Sequence, residues 1–148
     1  MKSALIDYLS PKGHVPIINF YIKNLENNFD SIYLNSKIKK DIINKKKVNF
    51  INFEKNFIFR LWRLIQLFLF FKNNKINKIV MLSYEPIDLF FLGIFLNLNY
   101  FKIFIFEHDT LNQKKILRFS LIKFLSRKII HVVFTPQSKK LLRKRFNR

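Results

Sequence analysis

The strongest constraint on this sequence is a set of short, continuous apolar runs that recur along its whole length. Each run is rich in Ile, Val, Leu, Phe or Tyr and ends at polar or turn-forming residues. Continuous runs of this length, without alternation of polar and apolar positions, are typical of strands covered on both faces. The runs predict six strands, at residues 4–9, 31–35, 48–53, 78–83, 101–106 and 129–134.

Longer segments with helical character lie between most of these runs. In residues 14–28, for example, Ile17, Tyr21 and Leu25 recur every four residues, and Pro16 is tolerated in a first helical turn. Residues 37–47 are a charged connection instead. The predicted helices are residues 14–28, 56–72, 87–98, 112–128 and 137–146.

Strands that alternate with helices argue for right-handed βαβ units and a parallel sheet. The predicted order along the chain is β-α-β-β-α-β-α-β-α-β-α. No internal repeat or linker interrupts it. We therefore predict one doubly wound, Rossmann-like α/β domain over residues 1–148, with a mostly parallel six-stranded sheet and helices on both faces.

The charge balance is strongly basic, because 28 Lys and Arg stand against 9 Asp and Glu, for a net charge of +19. Such an excess favours partners that carry phosphate: nucleic acid, anionic lipid or nucleotide-linked substrates. Nucleic acid is the least favoured of these. The aromatic residues fall in the strands and apolar helices rather than among the basic residues, where they could stack on bases.

The scarce residue types exclude several classes of protein. Without cysteine there is no disulfide and no thiolate metal site, and three scattered histidines do not suit a structural zinc. Two glycines cannot supply the glycine-rich loop of a dinucleotide-binding enzyme or of a P-loop NTPase. We therefore predict no cofactor and no metal.

Two features of the apolar segments bear on location. Asp7 interrupts the start of the chain, where a secretory signal needs an unbroken apolar stretch. Asn97, Asn99 and Lys102 interrupt residues 89–106, the nearest candidate for a membrane-spanning helix. We predict a cytoplasmic protein without a spanning helix.

Polar residues follow four of the predicted strands, and the carboxyl ends of parallel strands form the ligand-binding edge of an open sheet. The candidates for substrate binding are Lys12, Gly13 and His14 after the first strand, Tyr84 and Glu85 after the fourth, Glu107 and Thr110 after the fifth, and Thr135, Gln137 and Ser138 after the sixth. Gly13 either serves only the turn or lets the backbone approach a ligand phosphate at a helix N-terminus, and the sequence leaves both readings open.

The candidates for catalysis are His108 and Asp109, which stand just beyond the predicted strand 101–106. Imidazole is the natural proton-transfer group near neutral pH, and strand ends commonly display catalytic side chains. The alternative is that Asp109 caps the next helix while His108 makes a local hydrogen bond. His131 lies inside an apolar run, so we predict that it is in the core.

The loop motifs carry a resemblance to a known family. Pro11-Lys12-Gly13-His14 opening a helix, Glu107-His108-Asp109-Thr110 after a strand, and Thr135-Pro136-Gln137-Ser138 before a helix resemble the N-terminal domain of GT-B glycosyltransferases of the glycosyltransferase 4-like group. The resemblance covers nearly the whole chain. It implies an acceptor-binding domain, with a cleft between it and a second, donor-binding domain.

The resemblance assigns roles to the loops and partners to the protein. Gly13 and His14 would face the cleft, while His108 and Asp109 would lie near the reacting sugar. The donor-binding domain is expected to be missing from the 148 residues, so the nucleotide sugar would be held by a missing second domain or a partner subunit. The acceptor would be a glycan or lipid-linked. The alternative is a non-catalytic module of the same fold that binds a membrane surface or a phosphate ligand.

The segment 57–71 is nearly all apolar and carries Arg60, Trp62 and Arg63. Such a helix can lie in a bilayer interface with its arginines toward phosphates. We predict that these three residues face a membrane; the alternative is a helix packed on the sheet with its arginines at the rim. The basic residues of 139–148 would add to the attraction toward an anionic surface.

Overall fold

In the computed structural model the described residues are 2–9, 14–43, 46–106 and 129–133, with residues 136, 139, 140 and 143. They form a six-stranded sheet with the strand order β3-β2-β1-β4-β5-β6, in which every neighbouring pair is parallel. The strands are β1 (Lys2–Asp7), β2 (Ser31–Asn35), β3 (Val48–Ile51), β4 (Ile76–Met81), β5 (Lys102–Phe106) and β6 (Ile129–Val132).

Three α-helices connect these strands within the described residues: α1 (Val15–Leu25), α2 (Phe57–Asn73) and α3 (Pro86–Phe95). Local chemistry explains where they begin. The Asn56 side chain caps α2 by accepting a hydrogen bond from the Ile58 N–H at 2.9 Å. Pro16 and Pro86 lie in the first turns of α1 and α3, where a missing N–H costs nothing. Short 3₁₀ turns lie at Glu26–Asn28 after α1, at Ser36–Ile38 after β2 and at Leu98–Tyr100 between α3 and β5.

The helices cover both faces of the sheet, and alternate residues of β1 point to opposite sides. Ala4 and Ile6 join the core under α2 and α3, whereas Leu5 joins the core under α1. Right-handed crossovers explain the division, because the chain moves one way across the sheet from β1 to β3 and the other way from β3 to β5. In the α2–α3 core, Phe68 packs edge-on against Phe101 with ring centroids 5.1 Å apart.

The predicted fold class is confirmed: the domain has a six-stranded parallel sheet with helices on both sides. The boundaries differ by a few residues, since β4 begins at Ile76 and α3 ends at Phe95, before a separate 3₁₀ turn. The predicted helix 112–128 lies outside the described residues. Of the predicted helix 137–146, residues 139, 140 and 143 are described and helical.

His131 differs from the prediction in its degree of burial. It lies in β6, opposite Ile105 of β5, and is half-buried rather than enclosed in the core. Among the described strands, β6 is the last of the sheet and pairs with β5.

Candidate functional site

The strand order places one topological switch point at the centre of the sheet. The chain runs outward from β1 through β2 to β3, then returns by α2 and adds β4 on the other side of β1. In open α/β sheets, ligands bind outside the carboxyl ends of the strands at such a point. We call Asp7, at the end of β1, and the described residues that follow β1 and β4, 8–9, 14 and 82–88, the switch-point edge.

Ser83 joins the two halves of this edge. Its hydroxyl donates to Asp7 Oδ1 at 2.5 Å and accepts a hydrogen bond from the Leu9 N–H at 3.0 Å. The Leu82 N–H donates to the Ile6 carbonyl at 2.9 Å and so extends the pairing beyond the strands. The chain after β1 and the chain after β4 are therefore held in one fixed arrangement.

Tyr8 and Asp88 of the edge form a buried polar cluster with Arg60 of α2. The Tyr8 hydroxyl donates to Asp88 Oδ2 at 3.0 Å and accepts from the Glu85 N–H at 3.0 Å. Arg60 donates from Nε and Nη2 to the two oxygens of Asp88, at 2.8 and 3.0 Å. The Asp88 side chain is 0% exposed and that of Arg60 12% exposed, so this two-point ion pair is shielded from water.

The cluster fixes the protonation of Tyr8. Burial first, and then the adjacent Asp88 carboxylate, raise the pKa of the Tyr8 phenol well above its ordinary value. Tyr8 is therefore a neutral hydrogen-bond donor at physiological pH and is unsuited to act as a base. The cluster connects β1, the loop after β4 and the first turns of α2 and α3, which makes it a support for the edge rather than a reactive centre.

Asn35, at the end of β2, ties in the next loops along the sheet. Its side-chain amide donates to the carbonyls of Tyr8 and Phe53, at 3.0 and 3.3 Å, and its side-chain oxygen accepts from the Lys37 N–H at 3.1 Å. The Tyr8 and Phe53 rings also pack together, with centroids 5.4 Å apart. Three consecutive strands of the sheet thus end in a connected, rigid rim.

Three predicted binding residues lie within the described part of this edge. His14 is half-buried at the N-cap of α1 and makes no side-chain capping bond. Glu85 is half-buried at the N-cap of α3. Tyr84 is buried with the apolar cluster under α2 and α3, and its predicted role in substrate binding stays a prediction.

The three residues predicted to face a membrane are separated by the structure. Arg60 points inward to Asp88, because its position on α2 falls on the same side as the buried residues Leu61 and Leu64. It does not share a face with Arg63. Trp62 and Arg63 are exposed, and Arg63 donates to the Gln66 side chain at 3.2 Å.

The remaining candidates lie outside the described residues, and their predicted roles stay predictions. They are Lys12, Gly13, Glu107, His108, Asp109, Thr110, Thr135, Gln137 and Ser138. Among the residues that the structure does describe, no group of three or more His, Cys, Asp or Glu side chains is arranged to hold a metal ion. No described helix has both the length and the apolar character needed to span a bilayer.

The sequence interpretation missed Asp7, Tyr8, Ser83 and Asp88 as parts of the edge. A signal was available for the two acids. Asp7 ends an apolar strand and Asp88 is enclosed by apolar residues, in a chain with few acids. A carboxylate in such surroundings needs a partner, since burying an unpaired charge is costly. The identity of the partner, Arg60 for Asp88, was not visible because 28 residues separate the two.

Comparison with known proteins does not assign this chain to a family: no family model matches it, and no curated protein matches it.

Proposed function

We propose that this chain is the acceptor-binding domain of a glycosyltransferase that moves a sugar from a nucleotide-sugar donor to a glycan or lipid-linked acceptor. The observation that carries the proposal is the rigid switch-point edge, where β1 and β4 end side by side. Such an edge is the ligand-binding position of open α/β sheets. Lys12, Gly13 and His14 follow β1 in the sequence, and Glu85 follows β4.

The chemistry asks the protein mainly to position two substrates and to balance charge. The acceptor hydroxyl oxygen forms a bond to the anomeric carbon of the donor sugar, and the bond from that carbon to the nucleotide phosphate breaks. In this proposal His108 takes the proton of the acceptor hydroxyl, with Asp109 beside it in the chain. The net charge of +19 suits both a nucleotide leaving group and a phosphate-bearing acceptor. The proposed setting is the cytoplasm, at the inner face of a membrane.

A non-catalytic binding module of the same fold is the second candidate. The burial of Asp7 and Asp88 favours it, because each is engaged by hydroxyl or guanidinium donors and neither is presented to a ligand. Within the described part of the edge, the predicted site residues that keep partial exposure are His14 and Glu85. A module would bind its ligand at the same edge without breaking a bond.

Amide chemical-shift mapping on the ¹⁵N-labelled chain tests whether the edge is a binding site. Titration with a panel of oligosaccharides and short-chain prenyl phosphate sugars is expected to shift the amides of Leu9, His14, Ser83 and Glu85. The amides of Lys2, Lys78 and Lys102, at or near the opposite ends of their strands, serve as internal controls. Shifts confined to the control positions, or no saturable shift with any compound, would contradict an acceptor site at this edge.

Turnover then separates the two candidates. A glycosyltransferase releases free nucleotide from a nucleotide sugar when acceptor is present. We expect His108→Ala to lower that rate in the assembled enzyme by about 10²–10⁴-fold, as for loss of a proton-transfer group. Saturable binding at the edge without nucleotide release, under conditions where donor is also bound, would assign the chain to the binding-module class.

A further inference from the structure

The outward face of α2 carries large apolar side chains that nothing in the described structure covers. Ile58 is 71% exposed, Phe59 62% and Trp62 58%. About two turns beyond Trp62, Leu69 and Phe70 are also exposed. We call these five residues the α2 outer face. The opposite side of the same helix is apolar as well, and it is buried against the sheet.

A helix with large apolar side chains on two opposite sides is normally covered on both sides. Here one side packs on the sheet, so the other side is left for something outside the described structure. Large exposed apolar surfaces mark interaction sites with proteins or membranes. The charges around the α2 outer face decide between these two kinds of partner.

Basic residues surround the α2 outer face. At about 100° per residue, Trp62 and Leu69 lie near the middle of the exposed arc, and Arg63 and Lys72 lie at its two margins. Lys55 and Lys75 are exposed just before and just after the helix. The helix itself contains no acid, and the nearest upstream one, Glu54, is hydrogen-bonded by the Asn52 side chain at 2.7 Å. Gln66 is also exposed on this arc, where its side-chain oxygen accepts from Arg63 at 3.2 Å. An arc of large apolar side chains with cations at its margins matches an anionic bilayer surface.

We propose that α2 is a membrane-docking helix that lies flat in the interface of an anionic bilayer, with Ile58, Phe59 and Trp62 inserted among the lipids. Trp62 suits this position, because tryptophan favours the headgroup level where an apolar ring can keep a polar N–H in water. Arg63 and Lys72 contact lipid phosphates from the two margins. Arg60 takes no part, since it is held by Asp88.

Membrane docking by α2 does not depend on the proposed enzymatic function, but it has a consequence for that function. α2 begins immediately after β3, so its first turns lie at the same edge of the sheet as the carboxyl ends of the strands. A bilayer in contact with Ile58, Phe59 and Trp62 is therefore beside the switch-point edge. A lipid-linked acceptor would reach that edge without leaving the membrane.

Trp62 is the only tryptophan of the chain, so its fluorescence reports directly on this face. We expect vesicles of phosphatidylcholine with one-third phosphatidylglycerol to shift its emission to the blue, and lipids brominated near the headgroup to quench it. The chain should sediment with these vesicles. Binding to pure phosphatidylcholine should be weaker, because the interaction of the basic margins with anionic lipid is lost.

Matched variants distinguish insertion at α2 from non-specific hydrophobic binding to the vesicles. Phe59→Ser is expected to weaken partitioning roughly tenfold, the effect of removing one inserted aromatic side chain. Phe20→Ser is the control, because Phe20 lies on α1, across the sheet, and is 63% exposed, almost the same as Phe59. Arg63→Gln should lower binding to anionic vesicles by roughly fivefold and leave binding to neutral vesicles unchanged.

Three results would overturn the proposal. One is the absence of both a blue shift and co-sedimentation with anionic vesicles. Another is an equal loss of binding for Phe20→Ser and Phe59→Ser, which would place the contact elsewhere. The third is a blue-shifted Trp62 without vesicles, together with a sedimentation coefficient that rises with protein concentration; that result would assign the α2 outer face to a second copy of the chain.

Discussion

The ion pair of Asp88 and Arg60 links the first turns of two helices beside the switch-point edge. Asp88 receives three hydrogen bonds, two from Arg60 and one from Tyr8, in a place where its carboxylate has no access to water. Arg60 also donates to the Lys55 carbonyl at 3.1 Å, so it braces the segment that leads into α2. Both residues come from first turns of helices, which places the start of α2 and the start of α3 under one constraint.

A double-mutant cycle on this pair gives the first prediction. Arg60→Met leaves the buried carboxylate of Asp88 without its cation, and Asp88→Leu leaves the shielded guanidinium of Arg60 without its anion. Each single change is therefore expected to cost about 3–5 kcal/mol of unfolding free energy. The double variant removes both charges. It should therefore be more stable than the sum of the single effects predicts, by about 1–3 kcal/mol. Urea denaturation followed by circular dichroism measures the unfolding free energy of the parent chain, the two single variants and the double variant.

Arg63→Met is the matched control for this cycle, since Arg63 is exposed on the same helix. Its effect should stay within about 0.5 kcal/mol. Additive single effects in the cycle would mean that Arg60 and Asp88 do not interact in solution. A neutral Arg60→Met would mean that Asp88 finds another partner.

At the scale of elements, the β1–β2 side of the sheet is fastened by Ser3 and Asp30. The Ser3 N–H donates to Asp30 Oδ2 at 2.7 Å, and the Asp30 N–H donates back to the Ser3 carbonyl at 3.0 Å. The bond from the Ser3 N–H, more than any other contact, lowers the pKa of the Asp30 carboxyl below its ordinary value. The start of β1 and the approach to β2 are joined by this reciprocal pair.

The lowered pKa of Asp30 predicts the direction of a pH effect. A carboxyl whose pKa is lower in the folded state contributes stability above its unfolded pKa of about 3.9 and loses that contribution as the pH falls through the folded pKa. The difference in unfolding free energy between the parent chain and Asp30→Asn should therefore be largest near pH 6 and shrink below pH about 4. Asp41→Asn, at an exposed position, controls for the loss of one negative charge from the chain. An Asp30→Asn difference that grows on acidification would contradict the assigned contact.

The elements were predictable from sequence to very different degrees. The six strands were found because each is a continuous apolar run, and burial on both faces leaves that mark in the sequence whatever the rest of the fold does. Register and strand order were not visible in the runs themselves. The sequence also did not show which side of α2 faces the sheet. Because apolar residues occur around much of the helix, their spacing could not reveal that Arg60 faces inward and Arg63 outward. Contacts such as Tyr8 with Asp88 join positions 80 residues apart, and only the folded sheet brings them together.

At the scale of the whole molecule, charge is the dominant property. Even if each of the 9 acids paired with its own cation, 28 minus 9 leaves 19 basic side chains without an acidic partner. Mutual repulsion among them opposes compaction, and dissolved salt screens it. Screening by dissolved anions therefore favours the folded chain. A bound phosphate at the proposed cleft has to be recognised against this general background.

A comparison of pyrophosphate with chloride at matched ionic strength distinguishes specific phosphate binding from general screening. Screening acts alike for both salts, whereas a ligand that binds only the folded state adds a saturating term of about 2.7 kcal/mol at 100 times its Kd. If Lys12 and Gly13 help to bind phosphate where α1 begins, pyrophosphate should show this extra, saturating stabilisation in urea unfolding. Lys12→Gln should remove it, while Lys40→Gln, at an exposed position beyond β2, should leave it intact. Equal stabilisation by the two salts, or an equal loss of the saturating stabilisation in the two variants, would contradict a phosphate site at Lys12 and Gly13. Either result would mean that the basic residues act only through the overall charge of the surface.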